Sequence, residues 1–170
     1  DQKILENSSE SISRLIEFSN QDNISIVIEN HGGITGDADW LVSLMENVDS
    51  KHLGTLPDFG TYNFCIKRGN LNFQSLSENC ENQYDKYLGV KKLMPYAKGV
   101  SAKSHEFDKD GEELSTNYSR MIKIISESNY KGYITIEYEG AMKGMFGGEG
   151  TYLSPHEGIL ATKKLINKYL

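Results

Sequence analysis

The chain has 170 residues, 38% of them hydrophobic and 25% charged, with a formal net charge of −6. That composition suffices for one globular domain, residues 1–170, with a core of its own. The acidic balance argues against nucleic acid or an anionic membrane surface as a partner, and no apolar run reaches the roughly 20 residues that a bilayer span needs.

Taken in order, residues 4–20 read as a helix with Leu5, Ile12, Leu15, Ile16 and Ser19 on one stripe. Residues 24–30 follow as a buried strand, a β-branched run that ends in Glu29, Asn30 and His31. A carboxylate and an imidazole at the mouth of a buried strand carry a desolvation cost that packing alone does not offset, which marks a site. Gly32, Gly33 and Gly36 make a loop, and Asp37 caps a helix over about 38–48 that buries Leu41, Leu44, Met45 and Val48.

The second strand runs through His52–Gly60, with Pro57 near its end and Asp58 at its mouth. Residues 61–97 are polar and read as a long loop with helical pieces, a form that signals function or a lid. Within it Cys65, together with Cys80, shows neither CxxC nor metal-type spacing; both are read as free thiols, with a disulfide as the alternative. The third strand is Gly99–Ser104, followed by a charged turn from His105 and a helix over 114–128 that turns Tyr118, Met121, Ile122 and Ile125 inward. The fourth strand, Gly132–Glu139, puts Glu137 and Glu139 on one face. A Gly/Met-rich loop spans 141–150. Ser154, Pro155 and Glu157 then open the last helix with a capping box, and Ile159, Leu160, Leu165 and Ile166 carry it to the end.

A helix followed by four strand–helix units implies an α/β fold with a parallel sheet. Polar residues stand at the C-terminal end of every strand, the edge where such folds build their sites. Glu29, Asp58 and Glu137 come from three different strand ends and would converge in a barrel. Packed together they repel, and a divalent cation removes the repulsion. Oxygen donors suit Mg²⁺ or Mn²⁺; added imidazole shifts the preference toward Zn²⁺, Co²⁺ or Fe²⁺. His31 is read as a ligand, a proton-transfer group or a substrate donor, and Lys103 as a partner for a substrate oxyanion or a neighbouring acid.

The motifs Ile-Glu-Asn-His-Gly-Gly, Leu-Gly-Thr-Leu-Pro-Asp-Phe-Gly, Pro-Tyr-Ala-Lys-Gly-Val-Ser-Ala-Lys-Ser and Gly-Tyr-Ile-Thr-Ile-Glu-Tyr-Glu-Gly, in that order, resemble the sugar phosphate isomerase/epimerase family. That family belongs to the xylose isomerase-like TIM-barrel superfamily, which also holds AP-endonuclease-type enzymes. The resemblance implies a (β/α)8 barrel of which this chain supplies only about four units, corresponding to strands five to eight: a C-terminal half-barrel. It follows that the chain pairs with another copy as a homo-oligomer or with a missing N-terminal half.

The family holds its metal with Glu, Asp, His and Glu from successive strands. Glu29, Asp58 and Glu137 match the first, second and last, while Ser101 stands in the histidine's place and Lys103 matches the family's lysine. Ser101 is a weak ligand, so water, His31 or His105 would complete the shell. The loss of imidazole favours Mg²⁺ or Mn²⁺, with Zn²⁺ or Co²⁺ as alternatives.

The implied activity is isomerisation or epimerisation of a small sugar or sugar-like polyol through an enediolate-type intermediate. Glu29 and Glu137 act as base and acid, and Lys103 and His31 orient or polarise oxygens. A lyase or dehydratase, or a non-catalytic carbohydrate-binding protein, is the alternative. Four histidines and the acidic charge speak against a phosphodiesterase. The expected compartment is the cytoplasm, with the periplasm open, because a chain beginning at Asp1 leaves targeting unread.

Overall fold

Two pairs of parallel strands form the frame on which the strand-end acids are mounted. The structure is a computed structural model and describes residues 2–68, 80–140 and 152–170. The expected loop at 141–150 lies outside the described residues.

Helix α1 (Gln2–Ser19) buries Leu5, Ile16 and Ser19, with Ile12 packed beside them. Leu15, expected on the same stripe, is 53% exposed. One residue turns a helix by about 100°, so Ile16 facing the core leaves Leu15 at its margin. Strand β1 (Ile26–Glu29) pairs in parallel with β2 (Leu53–Leu56), Ile26 opposite Leu53 and Glu29 opposite Leu56. Both strands are shorter than the sequence suggests, and β2 stops one residue before Pro57 because proline has no N–H to extend a ladder. Helix α2 (Ala38–Val48) joins them. Asp37 caps it by accepting from the backbone N–H groups of Asp39 and Trp40.

Of the stretch expected to be a long loop, 61–97, residues 69–79 lie outside the described residues and the rest carries regular elements. A 3₁₀ turn, Tyr62–Phe64, leads into an antiparallel hairpin of β3 (Cys65–Arg68) and β4 (Cys80–Gln83), then into α3 (Lys86–Leu93) and a second 3₁₀ turn, Met94–Tyr96. The free-thiol reading is overturned as well: Cys65 and Cys80 form a disulfide, their Cα atoms 5.7 Å apart. The hairpin brings face to face two residues 15 apart in sequence, a spacing that carries no signature of its own.

Strand β5 (Val100–Ser104) pairs in parallel with β6 (Ile134–Tyr138), and α4 (Tyr118–Glu127) connects them, burying Tyr118, Met121, Ile122 and Ile125 as expected. Two isolated parallel bridges, Thr55 to Ala97 and Asp58 to Ser101, stitch the β1–β2 pair to the β5–β6 pair. The spatial order is therefore β1-β2-β5-β6, and all four C-terminal strand ends open on one edge.

Helix α5 (Pro155–Tyr169) starts with the expected capping box of Ser154 and Glu157. Its inward face is Gly158, Thr162, Leu165 and Ile166. Ile159 and Leu160, expected inward, are about half exposed. Gly158 and Thr162 fix the contact line, four residues apart, and the neighbouring positions rotate away from it. Among the described residues no helix is long and apolar enough to cross a membrane.

Candidate metal centre

Glu29 is the last residue of β1, Asp58 lies two residues beyond β2, and Glu137 is the fourth residue of β6. One carboxylate oxygen from each lies within 4.8 Å of the other two. The sheet order explains the convergence: Glu29 is level with Leu56, Asp58 with Ser101 and Glu137 with Lys103, steps of two residues that keep all three side chains on one face.

Asp58 is fully buried. Its Oδ1 accepts from the Gly60 backbone N–H at 2.7 Å, while its Oδ2 has no hydrogen-bond partner. Burial pushes its carboxyl up to about 8, against the pull of the Lys103 ammonium 3.9 Å away. Asn30, also fully buried, fixes the aspartate's backbone from both sides: its Oδ1 accepts from Asp58 N–H at 2.8 Å and its Nδ2 donates to Asp58 O at 3.2 Å.

Lys103 is 3% exposed and ion-paired to Glu137 at 3.0 Å and Glu139 at 3.1 Å. Burial alone would lower its pKa; the carboxylates of Asp58, Glu137 and Glu139 outweigh that and hold it above the ordinary lysine value. Ser101 Oγ donates to Glu137 Oε2 at 2.7 Å. Burial raises Glu137, but the hydrogen bonds from Ser101 and Lys103 prevail and hold it below the usual carboxylate range.

On the β1 side, Glu29 Oε1 accepts from Asn63 Nδ2 at 3.1 Å and meets His31 Nδ1 at 3.1 Å. The His31 side chain is 60% exposed and sets its ring edge-on to Tyr62, with centroids 6.4 Å apart. His105 lies elsewhere. Its Nε2 is 3.7 Å from Glu139 Oε2, and it is not among the three groups that converge. Ser101 joins the cluster through its hydrogen bond to Glu137 and as the bridge partner of Asp58.

Gly60 shows how tightly this wall is built. A Cβ there would come within 2.9 Å of Asp58 Oδ1, Asn63 Oδ1 and Lys103 Cδ.

A family model described as xylose isomerase-like TIM barrel matches residues 2–163. The chain belongs to this family. No curated protein matches it. The xylose isomerase-like family includes sugar isomerases and epimerases as well as endonucleases, and divalent metals are common in it. The donor set here fits such an ion: three carboxylates, one presenting a buried oxygen with no hydrogen bond, offer hard oxygen ligands to a hard cation.

Asn30 and Asn63 are the participants that sequence reasoning passed over. Asn30 stood inside the strand-end motif between two residues of more obvious chemistry. Asn63 lay in a stretch without periodicity, and nothing local signals its contact with Glu29, 34 residues earlier.

Proposed function

We propose that the chain is the site-bearing half of a divalent-metal-dependent isomerase or epimerase acting on a sugar or sugar-like polyol. The observation that carries this reading is the convergence of Glu29, Asp58 and Glu137 around a buried carboxylate oxygen that has no hydrogen-bond partner. A divalent cation held by these three would supply Lewis acidity toward adjacent carbonyl and hydroxyl oxygens of the substrate, Mg²⁺ or Mn²⁺ being favoured by the all-oxygen set.

The chain's own residues do the rest. Glu137, kept ionised by Ser101 and Lys103, takes the proton from the carbon beside the carbonyl, and Glu29 returns one from the other wall. Lys103 offsets negative charge as it develops on the substrate oxygens. His31, exposed beside Tyr62, donates to a substrate hydroxyl and lends its ring edge to the rim. Lys103 is already shared by three acids, and Lys86, the other buried cation near Asp58, donates to Thr61, Ser115 and Thr116, so an uncharged polyol suits the site better than a phosphorylated one.

The four parallel strands read as one domain, half of an eight-stranded barrel. Among the described residues the outer edges of β1 and β6 pair with no strand. Four further parallel strands would close the barrel, supplied by a second copy or by the barrel's other half. Sedimentation should find the 170-residue chain associated with itself; a stable, cooperative monomer refutes the half-barrel. The Cys65–Cys80 disulfide supports the periplasm over the cytoplasm; thiol titration of protein drawn directly from cells checks this.

A second reading has one observation in its favour. Lys103 already lies among Asp58, Glu137 and Glu139 where a cation is needed, as it would in a carbohydrate-binding protein that dispenses with metal. Calorimetric titration with Mn²⁺ separates the two. Micromolar binding that Glu29→Gln abolishes, together with Mn²⁺-dependent exchange of the α-proton of a keto sugar into D₂O, supports the enzyme. No binding at micromolar Mn²⁺ refutes it.

A further inference from the structure

We propose that Asn63 is a positioning residue for Glu29, and that the Cys65–Cys80 disulfide holds Asn63 in place. The effect on metal binding rests on Glu29 being a ligand; the anchoring belongs to the chain with or without metal.

Asn63 is 1% exposed and ties two strand-end loops together. Its Nδ2 donates to Glu29 Oε1 at 3.1 Å. Its backbone oxygen accepts from Gly32 N–H, in the loop after β1, at 2.9 Å. Its backbone N–H donates to Gly60 O, in the loop after β2, at 3.1 Å. Glu29 is mounted on a strand, but its carboxylate is oriented by a residue that belongs to no strand.

Local secondary structure gives Asn63 little support; its backbone hydrogen bonds, the fully buried Phe64 beside it and the crosslink hold it. Its own element is a three-residue 3₁₀ turn, which has little intrinsic stability. The hairpin that follows is irregular, with register shifts between Cys65 and Lys67 and between Lys67 and Arg68. Bulged pairing of this kind leaves ladder groups unmatched and does not fix the strand's position. The disulfide begins two residues after Asn63, at a fully buried cysteine, and joins the two strands of that hairpin covalently.

Backbone packing transmits this constraint to the β1 side. The 3₁₀ turn Gly33–Gly36 presses against the same segment: a Cβ at Gly36 would lie 3.0 Å from Cys65 O and 3.2 Å from Asn63 O. Both neighbours are backbone atoms and cannot swing aside. The order of contact runs from disulfide to Asn63 to Glu29, with His31 on the outer side of the same carboxylate.

Two measurements test the proposal. In the metal-free chain, amide hydrogen exchange at Gly32 should accelerate about tenfold in the Cys65→Ser/Cys80→Ser double variant, while the β5 amides keep their protection. Unchanged exchange at Gly32, or loss of protection throughout the chain, overturns the anchor. In calorimetric titration with Mn²⁺, Asn63→Ala should weaken binding by about tenfold. The same substitution should cost nothing further once Glu29→Asp is present, whose shorter side chain keeps a carboxylate but withdraws it from the Asn63 amide, because the effect passes through that contact. An equal loss in both backgrounds makes Asn63 a packing residue and overturns its positioning role. Failure of the unaltered chain to bind Mn²⁺ overturns the metal reading instead, and the exchange measurement still decides the anchor.

Discussion

The two walls of the carboxylate cluster are held by different means. On the β5–β6 side the contacts follow the strand ladder: Lys103 and Glu137 are register partners, and Ser101 and Glu139 lie two residues from them. The cation is buried, and three acids share it. On the β1 side Glu29 is 31% exposed against 42% for Glu137, but its histidine faces solvent and its orientation comes from a turn beyond the next strand. The first wall is electrostatic and rigid. The second is steric and built of hydrogen bonds. A site of this kind keeps its charge balance in the sheet and its adjustability in the loops.

The largest test of that contrast removes the cation. Lys103→Met leaves Asp58, Glu137 and Glu139 without their shared partner and should destabilise the chain by about 3–5 kcal/mol in urea denaturation. A loss below about 1 kcal/mol would put Lys103 in the same class as an exposed pair.

The next largest effect is a pH dependence with an unusual sign. The Asp58 pKa rises from an ordinary value near 4 to about 8 on folding. Between those limits the folded chain keeps a proton that the unfolded chain releases. Stability from this group is therefore fully present below about pH 4 and is lost as pH rises through about 8. Metal-free stability should fall by at most about 1.4 kcal/mol per unit in that window. Asp58→Asn should flatten the profile, and saturating Mn²⁺ should flatten it too.

Gly60→Ala probes the junction of the walls. Its Cβ would press on Asp58, Asn63 and Lys103 together, so a cost of about 1–3 kcal/mol is expected, read as a lower urea midpoint. The smallest effect belongs to the exposed wall. His31→Ala should change stability by less than about 1 kcal/mol, since its pair with Glu29 is open to solvent. A larger change would show the β1 side to be as rigid as its counterpart.

The strand-end residues of both walls were legible in the sequence and the loop-borne supports were not. β-branched runs, their alternation and the acids at their ends locate Glu29, Asp58, Lys103 and Glu137, because strand geometry turns sequence spacing into position. Asn63 and the disulfide escape such reasoning. β3 and β4 are four residues each, polar, and paired out of register, so no period marks them. The same limit explains Leu15, Ile159 and Leu160. Each is apolar beside a buried position, and only tertiary packing decides which way such a residue turns.

Asn30 has a consequence of another kind. β1 ends at Glu29, yet the two hydrogen bonds of the Asn30 amide to the Asp58 backbone continue the β1–β2 ladder by one rung, made from a side chain. The buried aspartate is thereby registered against the sheet independently of the glycine loop that follows. Its carboxylate is held separately, by the Gly60 N–H in the loop beyond, so the backbone and the side chain of Asp58 are fixed by two different elements.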